Sequence, residues 1–123
     1  MPSWAHDELA TADLGDARLN RRLVRLVTDL AAQPTASVPQ ACGTWAATKG
    51  AYRLWASPRV TPEVIRAPHQ HRTRDRLHDQ TTLLVIQDTT DLDFTSHPTT
   101  RAVGPLAGPT HQGLKVHSAL AVR

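Results

Sequence analysis

The pattern of apolar residues changes near residue 81, and this change divides the chain into two parts that must fold differently. Before it, apolar residues recur at helical spacing, most clearly at Leu19, Leu23, Leu26, Val27 and Leu30. After it, residues 82–87 form a continuous, partly β-branched apolar run, which is typical of a strand buried on both faces in the centre of a sheet. We therefore predict an α+β chain with a small all-α region over 1–79 and strands over 80–123.

The first long helix is predicted from Asp16, a good N-cap residue after Gly15, to about Ala32. Four arginines lie on one side of this helix at spacings of three and four residues, with no acid between them: Arg18, Arg21, Arg22 and Arg25. DNA phosphates would relieve the repulsion among these arginines, so we predict a DNA-contacting surface. The alternative is an ordinary solvated face of an amphipathic helix.

A second helix is predicted over residues 37–56, because Ser37 and Gln40 have the spacing of a capping box. Lys49 and Arg53 are one turn apart and are further candidates for DNA contact. An aromatic stripe lies beside them at Trp45, Tyr52 and Trp55. Such a stripe usually packs in a core, although stacking on unpaired bases is an alternative.

A third helix is predicted to begin at Thr61 and Pro62. Pro68 should divide it into pieces over 62–67 and 68–79. The histidines of this segment, His69, His71 and His78, lack the spacing of a zinc site.

Composition excludes several classes of protein. The 123 residues carry a net charge of +3 and include no apolar run near the ~20 residues that span a bilayer. We expect a cytoplasmic protein without a secretory signal. Cys42 is the only cysteine, so no internal disulfide forms, and we expect a small buried side chain there.

The predicted strand stops at Asp88, and a Pro- and Gly-rich loop over 97–113 leads to a second strand over 114–122. A carboxylate at the end of a buried strand is held rigidly, as a metal ligand for phosphoryl transfer must be. The alternative for Asp88 is a turn that caps the strand. Asp91 and Asp93 are expected to be polar turn residues.

Four runs together resemble the IS4 family of transposases, the Tn5-like group. They occur in family order and cover nearly the whole chain: LGDARLNRRL at 14–23, PQACGTWAATKGAYR at 39–53, LVIQDTTDL at 84–92 and GLKVHS at 113–118.

The resemblance implies a helical domain that grips double-stranded DNA at the terminal inverted repeats of a transposon. It also implies the first strands of a ribonuclease-H-like domain with an Asp-Asp-Glu site for two divalent ions, Mg²⁺ or Mn²⁺. Asp88 matches the first acid of that site, and Arg22 and Arg53 match basic positions of the helical domain. The family acts as a homodimer on DNA.

The other two acids are expected beyond residue 123, so we predict that this chain alone neither cleaves nor joins DNA. Three other interpretations remain open. The chain is a standalone DNA-binding or inhibitory protein, a small nuclease that uses Asp88, Asp91 and Asp93, or a remnant whose exposed strand edges aggregate.

Overall fold

A computed structural model describes residues 3–123, which divide into two compact units at residues 78 and 79. The first unit is helical. Its helices are α1 (Trp4–Glu8), α2 (Ala17–Ala32), α3 (Val38–Cys42), α4 (Trp45–Trp55) and α5 (Pro62–Leu77). The second unit is a small antiparallel sheet of β1 (Leu84–Asp93), β2 (Gly104–Pro105) and β3 (Gln112–Val122), in the order β1-β3-β2. A helical region followed by strands is confirmed, and the chain is α+β.

Helix α2 is the centre of the first unit and forms as its sequence predicts. The Asp16 carboxylate accepts a hydrogen bond from the Arg18 backbone N–H at 2.7 Å, which caps the helix. Leu23 and Leu26 on its apolar face are buried, and they pack in one core with Cys42 of α3 and Leu54 of α4. Cys42 is thus a free, buried side chain, as expected.

The predicted helix over 37–56 is wrong in one respect, because Gly43 divides it into α3 and α4. Gly43 has a φ of 71°, the left-handed conformation that ends helices and that glycine adopts at least cost. Thr44 then caps α4 by accepting a hydrogen bond from the Ala47 N–H at 3.2 Å. The capping box of Ser37 and Gln40 at the start of α3 is confirmed.

The predicted break at Pro68 is also wrong, because α5 is one continuous helix around a buried Pro68. Proline costs this helix one backbone hydrogen bond. That cost is offset by contacts on the far side of Pro68, where His69 and Arg76 both bind the Glu8 carboxylate of α1.

The strand β1 differs from its prediction in length, position and burial. It continues through Asp88 to Asp93, because every residue from Leu84 to Asp93 pairs with a residue of β3. It is an edge strand, and all of its residues are exposed. The apolar run is not buried because residues 79–123 contain no helix that covers either face of the sheet.

The two faces of this sheet differ in chemistry. Side chains alternate along a strand, and residues directly opposite each other share a face. One face carries an apolar set, with Asp88 and Ser118 paired in its middle: Leu84, Ile86, Leu92, Leu114, Val116, Leu120 and Val122. The other face is polar, with the Lys115 ammonium 2.7 Å from the Asp91 carboxylate.

Candidate nucleic-acid interface

The arginine stripe of α2 is fully presented to solvent. Arg18, Arg21, Arg22 and Arg25 are all exposed on the side away from the buried leucines. Within residues 3–123, the first three of these arginines have no carboxylate partner. An acid does lie just beyond the last of these arginines, however. Arg25 Nε lies 2.9 Å from an Asp29 oxygen, one turn further along, so Arg25 carries little free charge.

A cleft of about 280 Å³ lies between α2 and α4. Arg21, Arg22, Arg25 and Asp29 line its α2 side, and Ala46 and Gly50 line its α4 side. Small residues on α4 let the arginine side chains lie across that helix. A Cβ atom at Gly50 would lie 3.1 Å from Arg22 Nε, closer than ordinary van der Waals contact. Gly50 therefore holds open the space that Arg22 occupies.

The outer face of α4 adds Lys49 and Arg53, which are exposed one turn apart. The helix carries no acidic residue. The expectation that its aromatic stripe packs in the core is wrong. Trp45 is 77% exposed, and the Tyr52 and Trp55 rings lie edge to face with their centroids 5.8 Å apart on the surface. Small residues on the inner side of α4, such as Ala51, fill the core instead, so the large rings remain outside.

Three of the four arginines of α5 differ from Arg18, Arg21 and Arg22 of α2 because carboxylates accompany them, and Arg74 is the exception within residues 3–123. Arg66 pairs with Glu63 at 3.2 Å, Arg72 lies 3.7 Å from Asp75, and Arg76 binds Glu8. Acids neutralise much of the positive charge along this helix. The free positive charge of the first unit is therefore concentrated on α2 and α4.

Glu8 is a buried acid whose importance sequence reasoning missed. Its Oε1 atom lies 2.6 Å from His69 Nδ1 and accepts a hydrogen bond from Arg76 Nη1 at 3.2 Å, and its Oε2 atom binds Arg76 Nη2. The hydrogen bonds from Arg76 lower the pKa of Glu8 to about 2, although burial acts in the opposite direction. Both partners lie more than 60 residues away in sequence, so no local pattern signals this contact.

The candidate catalytic residue Asp88 lies in the middle of β1, and not at a strand end as predicted. It is opposite Ser118, on the apolar face of the sheet. Asp91 and Asp93 are on the other face, because side chains alternate along a strand and both residues lie an odd number of positions from Asp88. Asp91 pairs with Lys115, so it has a structural partner of its own.

Asp93 fixes the start of the loop between β1 and β3. One of its oxygens accepts a hydrogen bond from the Thr95 N–H at 2.8 Å, and the other lies 2.7 Å from His111 Nδ1. Hydrogen bonds lower the pKa of Asp93 to about 2, with the largest effect from Thr95 and the next largest from His111. These contacts give Asp93 a structural role.

The acids of the sheet do not fit a metal site by themselves. Asp88 stands on a different face from Asp91 and Asp93, and one carboxylate cannot hold two divalent ions. Across the described residues 3–123, no group of three His, Cys, Asp or Glu side chains is arranged to hold a metal ion. This geometry provides no support for a small nuclease built on the three aspartates.

The helical unit also matches a known family. Residues 1–60 match the sequence model of a family described as Transposase DNA-binding. The match includes α1 to α4, and hence every arginine of the stripe as well as Lys49 and Arg53. It supports a transposase N-terminal region with transposase-related DNA binding. None of the helices in the described part of the chain is long and apolar enough to cross a membrane.

Proposed function

We propose that the helical unit binds duplex DNA at the terminal inverted repeats of a transposon, through the surface formed by α2 and α4. The observation that carries this proposal is the cleft between these helices. Arg21 and Arg22 line it, and neither has a carboxylate partner within residues 3–123. Arg18 of α2 and Lys49 and Arg53 of α4 are exposed on the same two helices. The family match to residues 1–60 supports the same surface.

Electrostatics explains why this surface, and not α5, is the one proposed. A protein gains affinity for DNA when its cations replace the counterions condensed on the phosphates. A cation that already pairs with a carboxylate gains less, because it must give up that partner. Arg18, Arg21 and Arg22 have no such partner in residues 3–123, whereas the α5 arginines Arg66 and Arg76 do.

Paired charge reversals test the assignment. The full chain with Arg18→Glu and Arg22→Glu should bind a random duplex oligonucleotide at least about tenfold more weakly than the natural chain. The matched control, Arg66→Glu with Arg74→Glu, changes the net charge equally on α5 and should have a much smaller effect. Fluorescence anisotropy measures both. Equal losses for the two pairs would show that only overall charge matters, and the α2 surface would be rejected.

We further propose that the chain comes from a cut-and-paste transposase of the IS4 group, and that Asp88 is one acid of a two-metal site of the Asp-Asp-Glu type. The likeness of residues 84–92 to the family motif supports this, as does an antiparallel sheet compatible with the start of a ribonuclease-H-like domain. The homodimer on DNA expected for the complete enzyme belongs to the same proposal.

The isolated chain should therefore be inactive in DNA cleavage. Asp88 has no companion acid on its face of the sheet, so neither Mg²⁺ nor Mn²⁺ should be held tightly there. A plasmid-nicking assay with either ion should show no cleavage by the purified chain. Cleavage that disappears in Asp88→Ala would contradict this proposal.

A standalone DNA-binding or inhibitory protein is the second candidate, because the proposed DNA-binding surface lies wholly within the helical unit, whereas Asp88 has no companion acid on its face of the sheet. A chain of this kind should compete with a full-length relative for the same DNA ends without cutting them.

A further inference from the structure

The outer face of α4 combines two aromatic rings with two cations. Trp45, Lys49 and Arg53 follow one another at intervals of one helical turn, and Tyr52 lies beside them. All four side chains are exposed, whereas residues on the opposite side of the helix, such as Leu54, are buried. These four residues therefore form one continuous surface, which rises about 12 Å along the helix.

The two rings of this face are presented to solvent in different ways. Trp45 is 77% exposed and makes no ring contact within residues 3–123. Tyr52 is half exposed, and its ring is supported edge to face by Trp55. An exposed indole leaves a large apolar surface in water, so a flat apolar group that covers it would be bound favourably.

The cations decide which class of ligand fits the outer face of α4. Neither Lys49 nor Arg53 has a carboxylate partner in the described residues 3–123, and α4 itself carries no acid. An apolar protein surface docked here would bury both cations without partners, at a large desolvation cost. A nucleic-acid strand supplies phosphates for the cations and base faces for the rings at the same time.

We propose that the outer face of α4 binds unpaired nucleotides where a DNA strand leaves the duplex, an inference that rests on the proposed function. Bases of the unpaired strand stack on Trp45 and Tyr52, and the phosphates at this junction pair with Lys49 and Arg53. Trp55 positions the Tyr52 ring for this contact.

The physics of stacking explains why the bases are unpaired. Inside a duplex both faces of each base are already stacked on neighbouring bases. A ring that enters there must first separate a base step or extrude a base, which costs free energy. An unpaired base offers its face without that cost, so the exposed Trp45 ring gains most from a strand that has left the duplex.

The test compares three DNA molecules by fluorescence anisotropy with the full chain. One is a blunt duplex, the second carries a short tail of unpaired thymidines, and the third carries an equally long abasic tail. The abasic tail keeps the phosphates and removes the bases, so it separates stacking from charge. The natural chain should bind the thymidine tail about tenfold more tightly than the abasic tail. Its tryptophan emission should also fall more with the thymidine tail.

Substitutions of single rings locate the site. Trp45→Ala should lose most of the preference for thymidine over abasic tails, whereas Trp45→Phe retains a ring and should keep much of it. Trp4→Ala is the matched control, because Trp4 is also exposed but lies on α1, and this variant should keep the full preference. Circular dichroism verifies that each variant retains its helices.

Three results would overturn the proposal: equal affinity of the natural chain for the two tails, a preference that survives in Trp45→Ala, or an equal loss in Trp45→Ala and Trp4→Ala. Failure of the proposed function is recognised separately, because it depends on the blunt duplex. If the paired reversal of Arg18 and Arg22 weakens binding to that duplex, the surface of α2 and α4 stands even when the tails bind equally.

Discussion

Replacing Glu8 by glutamine should destabilise the helical unit far more than the same change at an exposed acid. The pKa of Glu8 is lowered to about 2 from an ordinary value of 4.5, first by hydrogen bonds from Arg76. At about 1.4 kcal/mol for each pKa unit, this difference corresponds to about 3 kcal/mol of stability at neutral pH. The Glu8 side chain itself is only 11% exposed, so this interaction is largely shielded from water.

Because the partners of Glu8 are exposed, the expected loss of unfolding free energy is smaller than the value that the pKa shift gives. Arg76 and His69 are 49% and 63% exposed, so water can solvate them once the carboxylate is gone. Glutamine also keeps the shape of the side chain and one acceptor oxygen. We therefore expect Glu8→Gln to lower the free energy of unfolding by about 2 kcal/mol at pH 7.

The pH dependence has a definite sign. Because the folded-state pKa of Glu8 is lower than its unfolded value, its contribution is complete above about pH 4.5 and is lost as the pH falls toward 2. The difference in stability between the natural chain and Glu8→Gln should therefore shrink over this pH range.

Urea unfolding followed by tryptophan fluorescence and by circular dichroism at 222 nm measures this effect in the intact chain. All three tryptophans and all described helices lie in residues 1–78, so both signals report on the helical unit. Glu63→Gln is the matched control, since that acid and its partner Arg66 are both exposed and water screens their pairing. A Glu8→Gln chain as stable as the control at pH 7 would refute the reasoning.

Three further substitutions probe the helices that form the proposed interface. Gly50→Ala should raise the stability of α4 by up to about 1 kcal/mol through helix propensity, which urea unfolding measures. The same change should weaken DNA binding a few-fold in fluorescence anisotropy, because the added Cβ displaces the exposed Arg22 side chain. Gly43→Ala should cost about 1 kcal/mol in urea unfolding, because its φ of 71° disfavours a side chain although no atom lies within 4 Å. Trp45→Ala should change the unfolding free energy by less than about 0.5 kcal/mol, since the ring is 77% exposed; a loss of several kcal/mol would place that ring in the core.

Local signals predict the helices well, and long-range contacts account for most errors. Asp16 and Ser37 start their helices as predicted, because capping depends on residues within one turn. The apolar pattern places Gly43 inside a helix, although this glycine ends one. Pro68 alone predicts a break, because the contacts of His69 and Arg76 with Glu8 depend on a distant helix.

The sheet shows the same limit. The sequence predicts that β1 ends at Asp88, since aspartate is disfavoured in strands. Pairing with β3, including the contact between Asp91 and Lys115, extends the strand to Asp93, and that contact spans 24 residues. The arginine stripe is predicted correctly as an exposed face. The pair of Arg25 with Asp29 has the i, i+4 spacing of neighbours on a helix surface, so the sequence does contain this signal, although the arginine pattern alone overlooks it.

The salt dependence of DNA binding tests the central claim most directly. Arg18, Arg21, Arg22, Lys49 and Arg53 are the candidate phosphate contacts. If all five engage duplex DNA, the logarithm of the association constant should fall with the logarithm of salt concentration at a slope of about −4 to −5. Arg22→Gln should make that slope shallower by about one, whereas Arg66→Gln should leave it unchanged. A slope near zero, or an equal change in both variants, would contradict DNA binding by the surface of α2 and α4.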